Sequence, residues 1–395
     1  MYSRLCKGDA ANMISKKKAI IYGVIIALVT AIFTSTLQIA IGDRVVISKE
    51  VYNLYKKYNK MLGLEGALKE DFYQKPKDEK LVTGAIKGLF SGLEDPYSQY
   101  YTKEEFDRLK EQTSGAFVGI GILISPTEDD DYLTVVSPLE GSPAEKSGIK
   151  AGDKIIKVNG KTVYAKNSDE VVGMIKGKKG TEVELTLKRD GKEFDVKVKR
   201  DEIVSKTIDG KMLDDKVGYI KMTSFSENTY KDFKKSLNNL KSEGMKGLII
   251  DLRNNGGGLL TVCKDIADEL IGEGTIVYTK DNKGNTEYLK SDKRKLGLPI
   301  AILTNEGSAS ASEILTGAIL DNEAGVSVGT TTFGKGLVQS VRELKDGTGY
   351  KLTTAQYFTP NGEYINGKGI KPTIEEKNEE KQLDVAIDWM KKQIK

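Results

Sequence analysis

The pattern of hydrophobic and polar positions changes character several times along the chain. From Ala19 to Ile41 the run AIIYGVIIALVTAIFTSTLQIAI carries no charge, and a helix rising ~1.5 Å per residue over that length would cross a ~30 Å hydrocarbon core. Lys16, Lys17 and Lys18 stand directly before it. Positive flanks stay cytoplasmic, so the pattern predicts a membrane anchor with the chain from about Asp43 onward outside the cytoplasm. A signal peptide cleaved near Ala40 and Gly42 is the alternative, although the run exceeds the ~7–15 residue core usual for such signals. Ile47, Val51, Leu54, Tyr55, Tyr58 and Leu62 then recur at helical spacing and predict an amphipathic helix, either packed internally or paired with another chain. Helical patterns continue through LVTGAIKGLF and TKEEFDRLK.

Around Gly115 the texture becomes short alternating strands, beginning with GAFVGIGILI and YLTVVSP. In GSPAEKSG, Ser142 suits the cap of a short helix, Pro143 its first position and Gly148 its end. Asn159-Gly160 and Asp190-Gly191 predict hairpin turns, with a second helix at about Ser168–Lys176 between them. This order of strands and helices resembles a PDZ domain, with GSPAEKSGIKAGDKIIKVNG as its most recognisable stretch. Val118, Gly119, Ile120, Gly121 and Ile122 stand where that family has its carboxylate-binding loop. The resemblance implies capture of a peptide's terminal strand at a sheet edge, with a purely structural spacer as the alternative.

After about Val204 strand-like and helix-like stretches alternate: KVGYIKM, NTYKDFKKSLNNLKSEG, KGLIIDLR, then a helix after GGG. That rhythm predicts an α/β domain. The chain is therefore read as an α/β multidomain protein: residues 1–42 a tail and anchor, 43–112 a helical region, 113–203 the β-rich module with two helices, and 204–395 the α/β part with a carboxyl-terminal helix.

Composition narrows the chemistry. With 61 Lys and Arg against 57 Asp and Glu, a formal charge of +4, and both signs interspersed, nothing marks a nucleic-acid partner. There is no histidine. Ser-His-Asp and Cys-His catalysis and imidazole-bound zinc are excluded, and the two cysteines, Cys6 and Cys263, are too few for a disulfide framework. No metal or organic cofactor is called for.

Two strand–turn–helix stretches could carry chemistry. KGLIIDLRNNGGGLL gathers the amides of Gly256, Gly257 and Gly258 at a helix start, but it lacks the phosphate-loop lysine and the dinucleotide glycine spacing. PIAILTNEGSASASEIL places Ser308, Ser310 and Ser312 at the start of another helix, where a serine's following amide could stabilise an oxyanion. Spacing does not choose among the three, and Ser310 with Glu313 also fits an ordinary capping box. Without histidine, a serine needs another base. Lys335 in TTFGKGLVQSV sits among Phe333, glycines, Leu337 and Val338, surroundings that would lower its amine pKa, and in an extended segment Gln339 would share its face and aim it. On these residues alone, strand packing explains Lys335 equally well.

The combination resembles the C-terminal processing peptidases, or tail-specific proteases. In that family a PDZ domain precedes an α/β, crotonase-like peptidase core with a Ser-Lys dyad. The likeness runs from about Asp71, through LEDPYSQYYTKEEF and DLRNNGGG, to LTTAQYFTPNGEYINGKGIKPTI. It implies Ser310 as nucleophile, Lys335 as general base and Gln339 as the residue orienting the lysine, with Gly257 and Ala311 as oxyanion donors. Many relatives have proline where this chain has Gly256. The resemblance further implies a serine endopeptidase acting on protein or peptide substrates with apolar carboxyl-terminal tails. A homodimer or higher homo-oligomer is expected from the helix after the anchor and the terminal helix around Trp389. The rivals are a non-catalytic membrane-anchored PDZ scaffold and an acyl-CoA enzyme of the same general fold.

Overall fold

A computed structural model of the chain describes residues 15–36, 40–41, 44–45, 47–126 and 131–394. It divides into two compact units, Met1–Gly84 and Ala85–Lys395.

In the first unit, α1 (Lys16–Thr36) follows the uncharged run, as the pattern predicts. The anchor itself is not found: no helix among the described residues is long and apolar enough to cross a membrane. Helix α1 opens on three lysines, which shortens its uncharged part, and residues 37–39 and 42 of the expected segment lie outside the described residues, as do 1–14 with Cys6. Helix α2 (Lys49–Asp71) forms over the amphipathic stretch, capped by Ser48, whose hydroxyl accepts from the Val51 amide at 3.3 Å. It buries none of its residues; Val51, Leu54, Tyr55 and Leu62 are all exposed. Helix α3 (Asp78–Ser91) follows.

In the second unit, which starts within α3, helix α4 (Lys103–Ser114) carries a full capping box between Thr102 and Glu105 and ends on Gly115 in the left-handed conformation. The strand Ala116–Gly119 then pairs antiparallel with Asp201–Val204, bringing both ends of the intervening module together. Inside it, an antiparallel sheet runs in the order 192–199, 182–189, 154–158, 133–138, 122–126. Helix α5 (Pro143–Lys146) starts on the Ser142 cap, and α6 is Ser168–Ile175. Asn159-Gly160 and Asp190-Gly191 all have positive φ, the requirement of the tight turn that matches strand twist. Ile120, Leu133, Ile155, Val171, Leu185, Leu187 and Val198 close the core of this module.

The remaining chain forms a sheet in the order 208–212, 217–222, 247–251, 300–304, 325–329, 374–375, parallel after its first pair. Its central strands, 217–222, 247–251 and 300–304, are buried on both faces, and their side chains alternate. Leu248, Ile250, Ile300 and Ile302 pack with α7 (Thr229–Ser242), α8 (Leu260–Leu270) and α9 (Ala311–Asp321). Ile249, Ala301 and Leu303 face Ala386 and Met390 of α10 (Glu379–Gln393). A second, antiparallel sheet of 286–291, 274–281, 349–358 and 337–343 lies alongside, and strand 99–101 joins it through 349–351. The loops after strands 247–251 and 300–304 therefore leave the carboxyl ends of adjacent parallel strands, where open α/β sheets form their clefts.

Candidate active site

The glycine-rich loop is set by polar contacts rather than packing. Asp251, buried at the end of its strand, accepts from Arg253 Nη2 at 2.6 Å and Nε at 2.9 Å, and from the Tyr219 hydroxyl at 2.7 Å. Burial raises its pKa, but these donors outweigh that and hold it below the usual carboxylate range. Asn254 and Asn305 exchange hydrogen bonds of 2.9 and 3.0 Å, joining this loop to the serine loop. Asn255 Nδ2 donates to Met222 O at 2.9 Å, and its Oδ1 accepts from the Gly257 amide at 2.9 Å. The expected oxyanion role of Gly257 is corrected by that bond, since its amide is committed two residues back. Gly257 instead serves by lacking a side chain: with φ at 95°, a Cβ would lie 2.6 Å from Ala309 O and 2.8 Å from Ala311 N.

The structure separates the three serines. Ser308 donates to Leu252 O and Ser312 to Asn255 O, both at 2.8 Å and both fully buried. Ser310, directly before α9, is half-buried and alone of the three lines a cleft of about 460 Å³. Its φ of 56° and ψ of −113° are costly for a residue with a side chain, by ~1–3 kcal/mol, and persist only where surroundings enforce them. Ala311, the first residue of α9, also lines the cleft, and its amide is one that a helix leaves unsatisfied.

Lys335 reaches the same cleft from the irregular segment 330–336. Its Nζ lies 4.6 Å from the centre of the Tyr97 ring. Burial is the main cause lowering its pKa, and the nearby charge of Lys351 adds to it; Glu313 and Asp95 oppose. Phe333, expected among the apolar surroundings of Lys335, is exposed. Gln339 lines the cleft, but its Nε2 donates to Leu337 O at 3.2 Å and Thr353 Oγ1 at 3.3 Å. The expected Gln339–Lys335 bond is not made. Lys335 precedes the strand Leu337–Glu343, and a register shift between Val338 and Gln339 breaks the two-residue alternation on which that expectation rested.

A residue that spacing suggested only as a cap organises the site. The fully buried Glu313 carboxylate accepts from the amides of Ser310 (2.9 Å) and Lys335 (2.8 Å) on Oε2, and from the Thr332 hydroxyl (2.6 Å) and Gly334 amide (2.7 Å) on Oε1. Nucleophile and base are thus tied to one carboxyl group.

In the smaller module, Gly119, Ile120, Gly121 and Ile122 line a groove of about 70 Å³ against Val172, Ile175 and Lys176 of α6 and its end. Val118 is not among its lining residues: it sits in the ribbon strand opposite Glu202. Strand 122–126 is an edge strand beside this groove. No group of acidic, cysteine or histidine side chains among the described residues could hold a metal ion.

Comparison with known proteins places these parts together. Residues 216–376 match the model for peptidase family S41, 119–199 that for a PDZ domain, and 42–105 that for the N-terminal domain of the activating protease CtpB. The carboxy-terminal processing protease CtpA of Bacillus subtilis (strain 168) is 42% identical over 354 residues, 88% of this chain and 76% of its own length. A probable CtpA-like serine protease of Staphylococcus aureus (strain N315) is 41% identical over 353 residues, 88% of this chain and 70% of its own. Among solved structures, a photosystem II D1 C-terminal processing protease is 28% identical with a TM-score of 0.50, covering 83% of this chain and 87% of that one. A putative S41 protease from Bacteroides fragilis NCTC 9343 shares the fold with a TM-score of 0.52 at 16% identity, covering 82% of this chain and 91% of that one.

Proposed function

Because the chain belongs to the carboxy-terminal processing serine proteases of peptidase family S41, we propose that it cleaves proteins near or from apolar carboxyl-terminal tails through a Ser310–Lys335 dyad. One observation carries the reading: Ser310 and Lys335 line one cleft with their amides held by the same Glu313 oxygen. Ser310 Oγ attacks the scissile carbonyl as its proton passes to the neutral Lys335 amine, for which a lowered pKa is the requirement. The Ala311 amide, at the positive end of α9, faces the oxyanion that develops. Protonated Lys335 then gives the proton to the leaving amine, and water hydrolyses the acyl-serine with Lys335 again as base. Gln339 borders the cleft and acts on the bound chain rather than on the lysine.

The groove beside strand 122–126 supports tail capture. The strand's free edge can take one more strand, and the walls of Ile120, Ile122, Val172 and Ile175 suit apolar side chains. The working part of the chain acts outside the cytoplasm on this reading, supported by the lysines ahead of the uncharged amino-terminal run. Two copies pair through the exposed apolar positions of α2, which light scattering at increasing concentration tests.

The primary test compares the full chain with Ser310→Ala on an unfolded protein ending in an apolar tail. Cleavage by the first and none by the second is expected. Tail binding without cleavage by either would favour the scaffold, and equal cleavage by both would reject Ser310.

A further inference from the structure

Glu313 ties the amides of Ser310 and Lys335, and a second side chain ties their carbonyls. Tyr357, on strand 349–358, is buried and lines the catalytic cleft. That hydroxyl lies in hydrogen-bonding contact with Lys335 O and 3.3 Å from Ser310 O. The only hydrogen it can donate is thus shared between the two carbonyls. Its own amide donates to Gly336 O at 3.0 Å, so main chain and side chain both hold the lysine segment.

We propose that Tyr357 is a positioning residue of the peptidase, its hydroxyl aiming the Ser310–Ala311 peptide plane and the Lys335 segment at the cleft. The proposal rests on the peptidase reading given above. Its physical core is the planarity of the peptide group: Ser310 C=O and Ala311 N–H belong to one trans unit and point in opposite directions. Holding the oxygen therefore directs the amide that faces the oxyanion. The plane needs holding, because Ser310 occupies a backbone conformation that an L-residue leaves when unconstrained. Glu313 fixes the plane before Ser310 through its amide; the plane after it is held jointly by the Ile314 amide, which donates to Ser310 O at 2.9 Å, and by the Tyr357 hydroxyl on the cleft side. The same hydroxyl acts on the Lys335–Gly336 plane, whose other side is held by the Gly336 amide donating to Asn366 Oδ1 at 3.1 Å.

Oxyanion donors and base placement act on the transition state, so the loss should appear in kcat and leave KM alone. Removing one oxyanion donor outright costs about 10²–10³-fold in kcat, and a misaimed donor part of that. The test uses the full chain with Tyr357→Phe, p-aminophenylalanine at 357 and Ser310→Ala, assayed together for kcat and KM on a tail-bearing substrate. We expect Tyr357→Phe to melt within a few degrees of wild type, lose about tenfold or more in kcat and keep its KM within about twofold. p-Aminophenylalanine, which keeps an N–H donor, recovers most of the rate. Should Tyr357→Phe fail to fold, 3-fluorotyrosine keeps the ring and strengthens the donor, and a shift of about twofold or more in kcat at constant KM supports the proposal. Unchanged kcat in the folded donorless variant, unchanged kcat with 3-fluorotyrosine, or a loss confined to KM overturns it while leaving the peptidase intact. Wild type no more active than Ser310→Ala overturns the peptidase reading, and this inference with it.

Discussion

Replacing Glu313 by Gln exchanges one carboxylate oxygen for an NH2 group in a site with four donors, so its cost can be worked from the contacts. The least costly arrangement turns the new amide nitrogen toward Thr332 and Gly334, because the Thr332 hydroxyl can rotate and accept. The Gly334 amide is then left buried without an acceptor, a cost of about 1–3 kcal/mol. The bonds from Ser310 and Lys335 survive but lose their charge assistance, about 1 kcal/mol each. Together these predict about 3–5 kcal/mol of destabilisation, a large part of the ~5–15 kcal/mol by which domains are stable. Trp389, the only tryptophan, is partly buried against the core beneath the parallel sheet, so its fluorescence reports unfolding of this part of the full chain. With a urea dependence of about 2 kcal/mol per molar, the midpoint should fall by about 1.5–2.5 M. A fall below about 0.3 M would refute the reasoning, since it would mean that Glu313 does not bear these four bonds.

Other predictions concern the base and the glycine loop. Lys351→Met removes a like charge beside Lys335, so the Lys335 pKa rises and the acid limb of kcat/KM moves to higher pH; a pH profile at low salt checks the direction. Glu313→Gln removes an opposite charge, so any residual activity shows that limb displaced to lower pH instead. Gly257→Ala puts a methyl 2.6 Å from Ala309 O in a left-handed backbone and should cost about 10²-fold or more in kcat with the fold retained by circular dichroism.

The parts legible in the sequence are those whose causes are local. Both Asn-Gly and Asp-Gly turns, the Ser142–Pro143 helix start and the buried strand 247–251 stand where neighbouring residues put them. Choosing Ser310 from spacing was impossible because all three serines share one turn. What separates them is contact with carbonyls 56 and 57 residues away, which takes Ser308 and Ser312 out of play. Tyr97, from the turn before strand 99–101, and Lys351 and Tyr357, both on strand 349–358, come to Lys335 through tertiary folding and leave no local mark. Alternation failed for Gln339 because a register shift intervenes. The engagement of Gly257 did have a local signal: an Asn two residues before a glycine amide is the signature of an Asx turn. The amino-terminal run reads as an anchor by composition, yet no helix among the described residues is long and apolar enough to span a bilayer, and residues 37–39 of the run lie outside them.

The most direct measurement of the central claim is covalent labelling of the full chain by a fluorophosphonate, with the adduct located by peptide mass spectrometry across pH. One adduct is expected, on Ser310, forming faster as pH rises through the lowered Lys335 pKa and vanishing in Lys335→Ala. An adduct elsewhere, or equal labelling of Ser310 in Lys335→Ala, would contradict it.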